Sequence, residues 1–220
     1  MDTNATATTP DTPNKKGRPP AFDRQTALAQ AKQLFWTLGY EATSIHDLTQ
    51  AMGISPSSLY AAFGSKANLF QEVLQNYTAQ NACSIHRFFE QYTDYRCAMA
   101  AYLQQIAIQL TQPDHPRGCM VTSAATNCKP ASQDIVDQLT KQRIQQRQIL
   151  QDKIKQAIAA QQLPTATDAE GLANTYAALI HGMTTLARDG ATQQALLQIS
   201  ENAMQLWDQA GQPLTTVPSP

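Results

Sequence analysis

Charge is scarce in this sequence. Only 15% of its 220 residues are Asp, Glu, Lys or Arg, and they balance to −1. Overall charge therefore does not announce a nucleic-acid or membrane partner. Cysteine is scarce too, with Cys83, Cys97, Cys119 and Cys128 alone. Their spacing matches no zinc or redox motif. A chain of this length can bury a sizeable core without disulfide staples, so reduced thiols in a cytoplasm are expected. No apolar run approaches the ~20 residues of a membrane span. Residues 1–13 are rich in Thr, Pro and Asn and have no apolar segment, so they do not read as a secretory signal.

Other absences bear on chemistry. There is no Gly-rich phosphate loop, and no nucleophile–base pair or carboxylate couple supports an enzyme. His46, His86, His115 and His181 form no metal-spaced cluster. Cys83 with His86 and His115 with Cys119 come nearest, but both lack further ligands. The expectation is no metal and no cofactor. Internal repeats and β-branched alternation are also missing. Ala, Gln and Leu dominate, and these residues suit helices, so the fold class is all-α.

The few charges are unevenly placed. Between Asn14 and Lys66, six basic residues face three acidic ones. That segment carries +3 and the remainder −4, a basic head on an acidic body. Residues 1–20 hold little that is apolar and read as a disordered arm with a basic end at Lys15, Lys16 and Arg18. Residues 211–220 read as a loose tail for the same reason.

Helix signals fill the space between. Asp23 caps a helix to Leu38, with Ala27, Ala31, Leu34 and Phe35 on one face, and Gly39 ends it. Thr43 or Ser44 caps a short helix over 44–52, ended by Gly53. Ser55 caps the next over 55–63, with Pro56 at its first position, where no amide is lost. Ser65 then caps a long helix to about residue 90. Further helices are expected at about 94–111, 119–127, 134–162, 168–188 and 192–209, punctuated by Pro113, Pro116, Pro130 and Pro164.

Two short helices joined by Gly53-Ile54 fit a helix-turn-helix. The start of its second helix must approach phosphates and base edges closely. Ser55, Ser57 and Ser58 are small and polar, and their hydroxyls and the free amides there suit phosphate oxygens. Lys66 opens a helix, where its charge opposes the macrodipole. It is better placed if an external anion shares the site; otherwise it is a solvated lysine.

These residues resemble the DNA-binding head of the tetracycline-repressor (TetR) family over about 17–70. The resemblance rests on Gly17-Arg18-Pro19, Ala31-x-x-Leu34-Phe35 with Gly39-Tyr40, Thr43-Ser44-Ile45, Leu48 through Gly53, and Ser58 through Lys66. It implies an all-helical homodimer of about nine helices, with a basic arm (1–20), a helix-turn-helix domain (21–66), a ligand-binding and dimerisation domain (67–210) and a tail (211–220). It implies a repressor that binds a near-palindromic operator in double-stranded DNA and is released by a small-molecule effector. The candidate DNA-binding residues are Arg18, Thr43, Ser44, Ser55, Ser57, Ser58, Tyr60 and Lys66. By resemblance, Thr43, Tyr60 and Lys66 meet phosphate, Ser55 to Ser58 enter the major groove, and Arg18 reaches the minor groove or backbone. Two departures are Thr49, where Ala is usual, and Ala62, which replaces a frequent His.

The body says less. Phe89, Tyr92, Tyr102, Met120, Tyr176, Ile180 and Met183 are candidates to line an apolar pocket, with ordinary core packing as the alternative for each. The last two predicted helices carry long apolar stripes, which in the family form a four-helix dimer interface. Cys119 follows Pro116-Arg117-Gly118 and opens a predicted short helix. A thiol so placed beside an arginine can be a reactive thiolate, and Gly118-Cys119 resembles a segment of family members that sense electrophiles or oxidants. The alternative is an inert buried thiol. Two other classes compete with a regulator: a small helical enzyme, and an interaction module whose arm touches membranes. Sequence-selective, salt-sensitive DNA binding separates the first from both.

Overall fold

The computed structural model describes residues 23–125 and 128–212, with backbone alone at 80–84. Arg18 and the whole 1–20 arm lie outside the described residues, as does residue 213 onward of the tail. Among the described residues there are nine α-helices, one short 3-10 turn and no strand. No helix among them is long and apolar enough to cross a membrane.

Caps explain where the first helices begin. α1 (Arg24–Leu38) starts at Asp23, whose carboxylate accepts from the Gln25 amide at 3.0 Å. α2 (Ile45–Met52) starts with a reciprocal pair. Ser44 Oγ accepts from the Asp47 amide at 3.1 Å, and Asp47 accepts from the Ser44 amide at 2.9 Å. Gly53 ends α2 in the left-handed conformation, at φ 65° and ψ 32°. α3 (Pro56–Phe63) and α4 (Lys66–Gln91) open on Ser55 and Ser65, whose hydroxyls accept from Ser58 and Asn68 amides. α5 (Tyr95–Gln109) follows, then α6 (Met120–Ser123), α7 (Gln133–Ala159), α8 (Ala169–Arg188) and α9 (Gln193–Asp208).

Packing ties the first four helices to α6 and the start of α7. One buried cluster holds Phe35 and Trp36 of α1, Leu48 of α2, Leu59 of α3, Phe70 and Tyr77 of α4, Met120 and Val121 of α6, and Leu139 of α7. Phe35 meets Phe70 edge-on with ring centroids 5.0 Å apart. Such side chains each contribute roughly 1.5–3 kcal/mol on burial. A second cluster joins α4, α5, α7, α8 and α9 around Met99, Leu103, Ile154, Tyr176 and Trp207. The Tyr176 hydroxyl donates to the Ala203 carbonyl at 3.3 Å, so this buried phenol is satisfied. A third, smaller cluster of α5, α8 and α9 lies around Met183 and Leu196.

α6 differs most from expectation. A helix over 119–127 is predicted; residues 126 and 127 lie outside the described residues, and among the others one turn forms, at Met120–Ser123. Two carbonyls of this turn are taken by other elements. Ala124 O accepts from the Tyr40 amide at 2.7 Å. Val121 O accepts from Arg143 of α7 at 3.0 Å. Just before α6, Gly118 has φ +91°, and a Cβ there would sit 2.9 Å from Cγ of Arg188 on α8. Gly118→Ala is expected to destabilise the protein by about 1–3 kcal/mol, through backbone strain and crowding against α8. Urea unfolding checks this, and a loss under about 0.5 kcal/mol would place the mutation in the range of an ordinary surface change.

Candidate nucleic-acid interface and effector cavity

The helix-turn-helix presents a polar edge. Ser55 Oγ lies 2.8 Å from Ser57 Oγ and 2.9 Å from Ser58 Oγ, at the start of α3. Ser55 and Ser57 are exposed, and Tyr60 is 49% exposed one turn further on. Ser44 is exposed too, with its hydroxyl engaged by Asp47 at 2.6 Å. That pairing holds the Asp47 carboxyl below its usual range. Lys66 Nζ sits 4.4 Å above the Tyr40 ring. Burial holds its ammonium below the usual lysine range, partly offset by Glu41.

Thr43 is in a different position from the one expected of a phosphate contact. It is fully buried, and its hydroxyl donates to the Gly39 carbonyl at 2.7 Å. The side chain braces the α1–α2 turn and offers no group to a surface. Its β-branched bulk and a nearby orphan carbonyl explain that role.

A half-open cavity of about 230 Å³ lies against α6, between head and body. Its wall includes Trp36, Tyr77, Tyr102, His115, Cys119 and His181. Of the seven expected pocket residues, Tyr102 and Ile180 line it. The others do not. Met120, Tyr176 and Met183 are buried in the three cores. Phe89 packs on the Tyr95 ring, and Tyr92 is 42% exposed. Apolar periodicity marks helix faces that meet other helices, whereas this cavity opens where six helices fail to close. Its wall is consequently mixed in polarity. Trp36, in the first helix, and the glutamines of α5 and α7 carried no periodic signal toward it.

Cys119 lines the cavity and is partly buried. The Tyr77 hydroxyl approaches its sulfur at 3.5 Å and accepts from the Met120 amide at 3.4 Å. The expected partner, Arg117, is directed elsewhere. Its guanidinium donates to the carbonyls of Ala191 at 3.0 Å and Ala187 at 3.5 Å, at the α8–α9 turn. Those carbonyls, in the turn that ends α8, hold the cation away from the thiol. Burial and Glu41 push the thiol of Cys128 up, away from reactive thiolate character.

α6 joins this cavity to the head. Cys119 stands at its start, and Ala124 at its end holds the Tyr40 amide. Tyr40 in turn carries Lys66 on one face and meets Phe70 edge-on at 5.1 Å. Ser132, just before α7, adds a hydroxyl donated to Glu41 at 2.9 Å.

Comparison with known proteins gives this architecture a context. Residues 27–73 match the family described as bacterial regulatory proteins, tetR family. Residues 98–202 match the tetracyclin repressor-like C-terminal domain. The HTH-type transcriptional repressor ComR of Escherichia coli (strain K12) is 36% identical over 204 residues, 92% of this chain and 97% of its own. The HTH-type transcriptional repressor BdcR of the same strain is 35% identical over 122 residues, 56% of this chain and 62% of its own. Among solved structures, a cysteine mutant of the TetR family regulator CifR, complexed with 26 bp double-strand operator DNA, matches with a TM-score of 0.83. It is 37% identical, covering 86% of this chain and 100% of that one.

The chain belongs to the TetR family. It is a transcriptional regulator with the all-helical fold of that family. The family match to residues 27–73 spans the helix-turn-helix, and the match to 98–202 spans the cavity-bearing body. This TetR-family chain keeps a small residue at the turn despite its departure there: Thr49 is buried and donates to the His46 carbonyl at 3.0 Å.

Proposed function

We propose that this TetR-family regulator is a cytoplasmic repressor that binds a near-palindromic operator as a homodimer and has no catalytic role. The observation that carries this reading is the exposed serine and tyrosine edge of α3, in a head whose α1–α2 turn is hydrogen-bonded to α6 beside the cavity. The operator complex of CifR and the repressor ComR support it as similar proteins. In this reading Ser55, Ser57 and Ser58 enter the major groove, while Tyr60 and Lys66 meet phosphate. Ser44 stands at the edge of the same surface, and Arg18 acts from the arm. Phosphate contacts position a protein without specifying sequence. Tyr60→Phe and Lys66→Ala are therefore expected to weaken all DNA sequences similarly. Lys66→Ala should also lower the salt slope by about one per head. Fluorescence anisotropy at several salt concentrations measures both. Unchanged affinity in both variants would remove Tyr60 and Lys66 from the interface.

Release of the operator requires an effector that prefers one state of the protein. The cavity supplies a place for such a molecule. A second route is modification of Cys119, which the wall position of its sulfur favours. Adding bulk or charge there would displace Tyr77 and the start of α6, and with it the Tyr40 contact. Wild type is expected to lose operator affinity after treatment with a quinone, hypochlorite or peroxide, while Cys119→Ser keeps it. Wild type that stays bound with Cys119 fully modified, as counted by mass spectrometry, would leave only the non-covalent route.

A further inference from the structure

The body meets the head at a surface that the helix-turn-helix does not include. The chain just before α7 lies along the turn between α1 and α2. Ser132 Oγ donates to Glu41 Oε2 at 2.9 Å. Cys128 packs on the same buried cluster as Tyr40, and it lines one groove with Glu41, Ala42 and Arg188. The Ser132 amide donates to the Lys129 carbonyl at 2.9 Å, closing a tight turn over 129–132. Lys129 opens that turn and is exposed.

This placement brings a second cation to Lys66. Lys66 Nζ rests on the ring of Tyr40, the residue before Glu41. Burial holds its ammonium below the usual lysine range; Glu41 and Cys128 act against this, and the charge of Lys129 acts with it. Neither lysine has an ion pair or a hydrogen bond among the described residues. Glu41 is the one carboxylate whose charge acts on Lys66, and it already accepts the Ser132 hydroxyl. Two ammonium groups near a single carboxylate leave positive charge uncompensated, and an external anion removes that cost. A DNA strand carries one negative charge per about 3.4 Å of helix axis, so two ammonium groups held close together can each neutralise a phosphate. The surface is also the right one. Lys66 follows α3 within three residues, and Ala42 and Ser44 are exposed on the α1–α2 turn itself.

We propose that Lys129 is a DNA-phosphate contact supplied by the body, standing beside the contact of Lys66. The operator surface then extends past the helix-turn-helix to the turn before α7. A contact of this kind positions the protein and carries no sequence preference. It also gives the body a direct hold on the DNA, on the chain that leads from α6 to α7. The inference rests on the reading of the head as the operator-binding surface.

Operator anisotropy of the full chain between about 50 and 200 mM salt tests it. Lys129→Ala is expected to lower the salt slope by about one per head, and to weaken operator and scrambled DNA by the same factor. Lys129→Arg should keep the wild-type slope. Lys66→Ala combined with Lys129→Ala should lower it by about two per head. Lys155→Ala is the control. Lys155 is an exposed lysine on α7, about 34 Å along the helix from Ser132 and well beyond the Debye length of about 10 Å at 0.1 M salt. Its replacement removes the same charge and should leave the slope unchanged. Circular dichroism checks that each variant is folded. A wild-type slope in Lys129→Ala, beside a reduced slope in Lys66→Ala, overturns the inference and leaves the head as the operator-binding surface. An equal loss in Lys155→Ala overturns it too, by making the effect one of net charge. A reduced slope in Lys129→Ala with none in Lys66→Ala supports Lys129 and removes Lys66 from the interface.

Discussion

Leu186→Asp is expected to lower operator affinity about 100-fold or more while each protomer stays folded, since buried interface anchors are worth ~2 kcal/mol or above and each 1.4 kcal/mol is tenfold. Leu186 is 42% exposed on α8, so its replacement opens no cavity in the protomer. It continues a line through Leu172 and Leu179 at seven-residue spacing, both only partly buried. Ile199 and Leu206 form a matching line on α9. Two such pairs of helices, one from each copy, would cover each other in the proposed symmetric dimer. The symmetry places the new carboxylate in the interface twice, once per protomer. A separated protomer holds only one half-site of a palindrome. Light scattering should show the variant as a monomer at micromolar concentration. A variant that remains dimeric with wild-type operator affinity would move the interface off α8 and α9.

The second large effect concerns Phe35. Phe35→Ala is expected to destabilise the protein by about 3–5 kcal/mol, the usual loss for a fully buried ring. Its ring is 0% exposed and touches both the Tyr40 and Phe70 rings. Those contacts lie in a cluster that runs from α1 through α4 into α6 and α7. Head and start of body therefore share the loss. A single urea transition is expected, shifted as a whole, at fixed protein concentration because a dimer's stability depends on it. Two separate transitions, with only one shifted, would show that the head folds independently of α6.

The head was legible in the sequence because its signals are local. Ser44, Ser55 with Pro56, and Ser65 each mark a helix start locally, and Gly53 marks the turn between two of them. The body was legible as helices but not as a site. Tyr176 and Met183 fall on apolar stripes because they bury against α9 and α5, which is what such stripes report. Trp36, Gln146 and His181 reach one cavity from α1, α7 and α8, and no spacing within a single helix encodes that meeting. Thr43 and Arg117 show the same limit at the level of hydrogen bonds. Their partners, Gly39 O and the carbonyls of Ala187 and Ala191, are identified by the turn geometry and not by neighbouring residue types.

The most direct measurement is to sequence the DNA that the purified full-length protein retains from random genomic fragments at physiological salt. A repressor dimer with two α3 edges related by symmetry selects fragments sharing a near-palindromic site, with half-site centres one helical turn, about 34–36 Å, or a multiple apart. Purified operator of that sequence should then bind at least about a thousandfold tighter than scrambled DNA. Retained fragments with no shared sequence, or equal affinity for the scrambled duplex, would contradict the account.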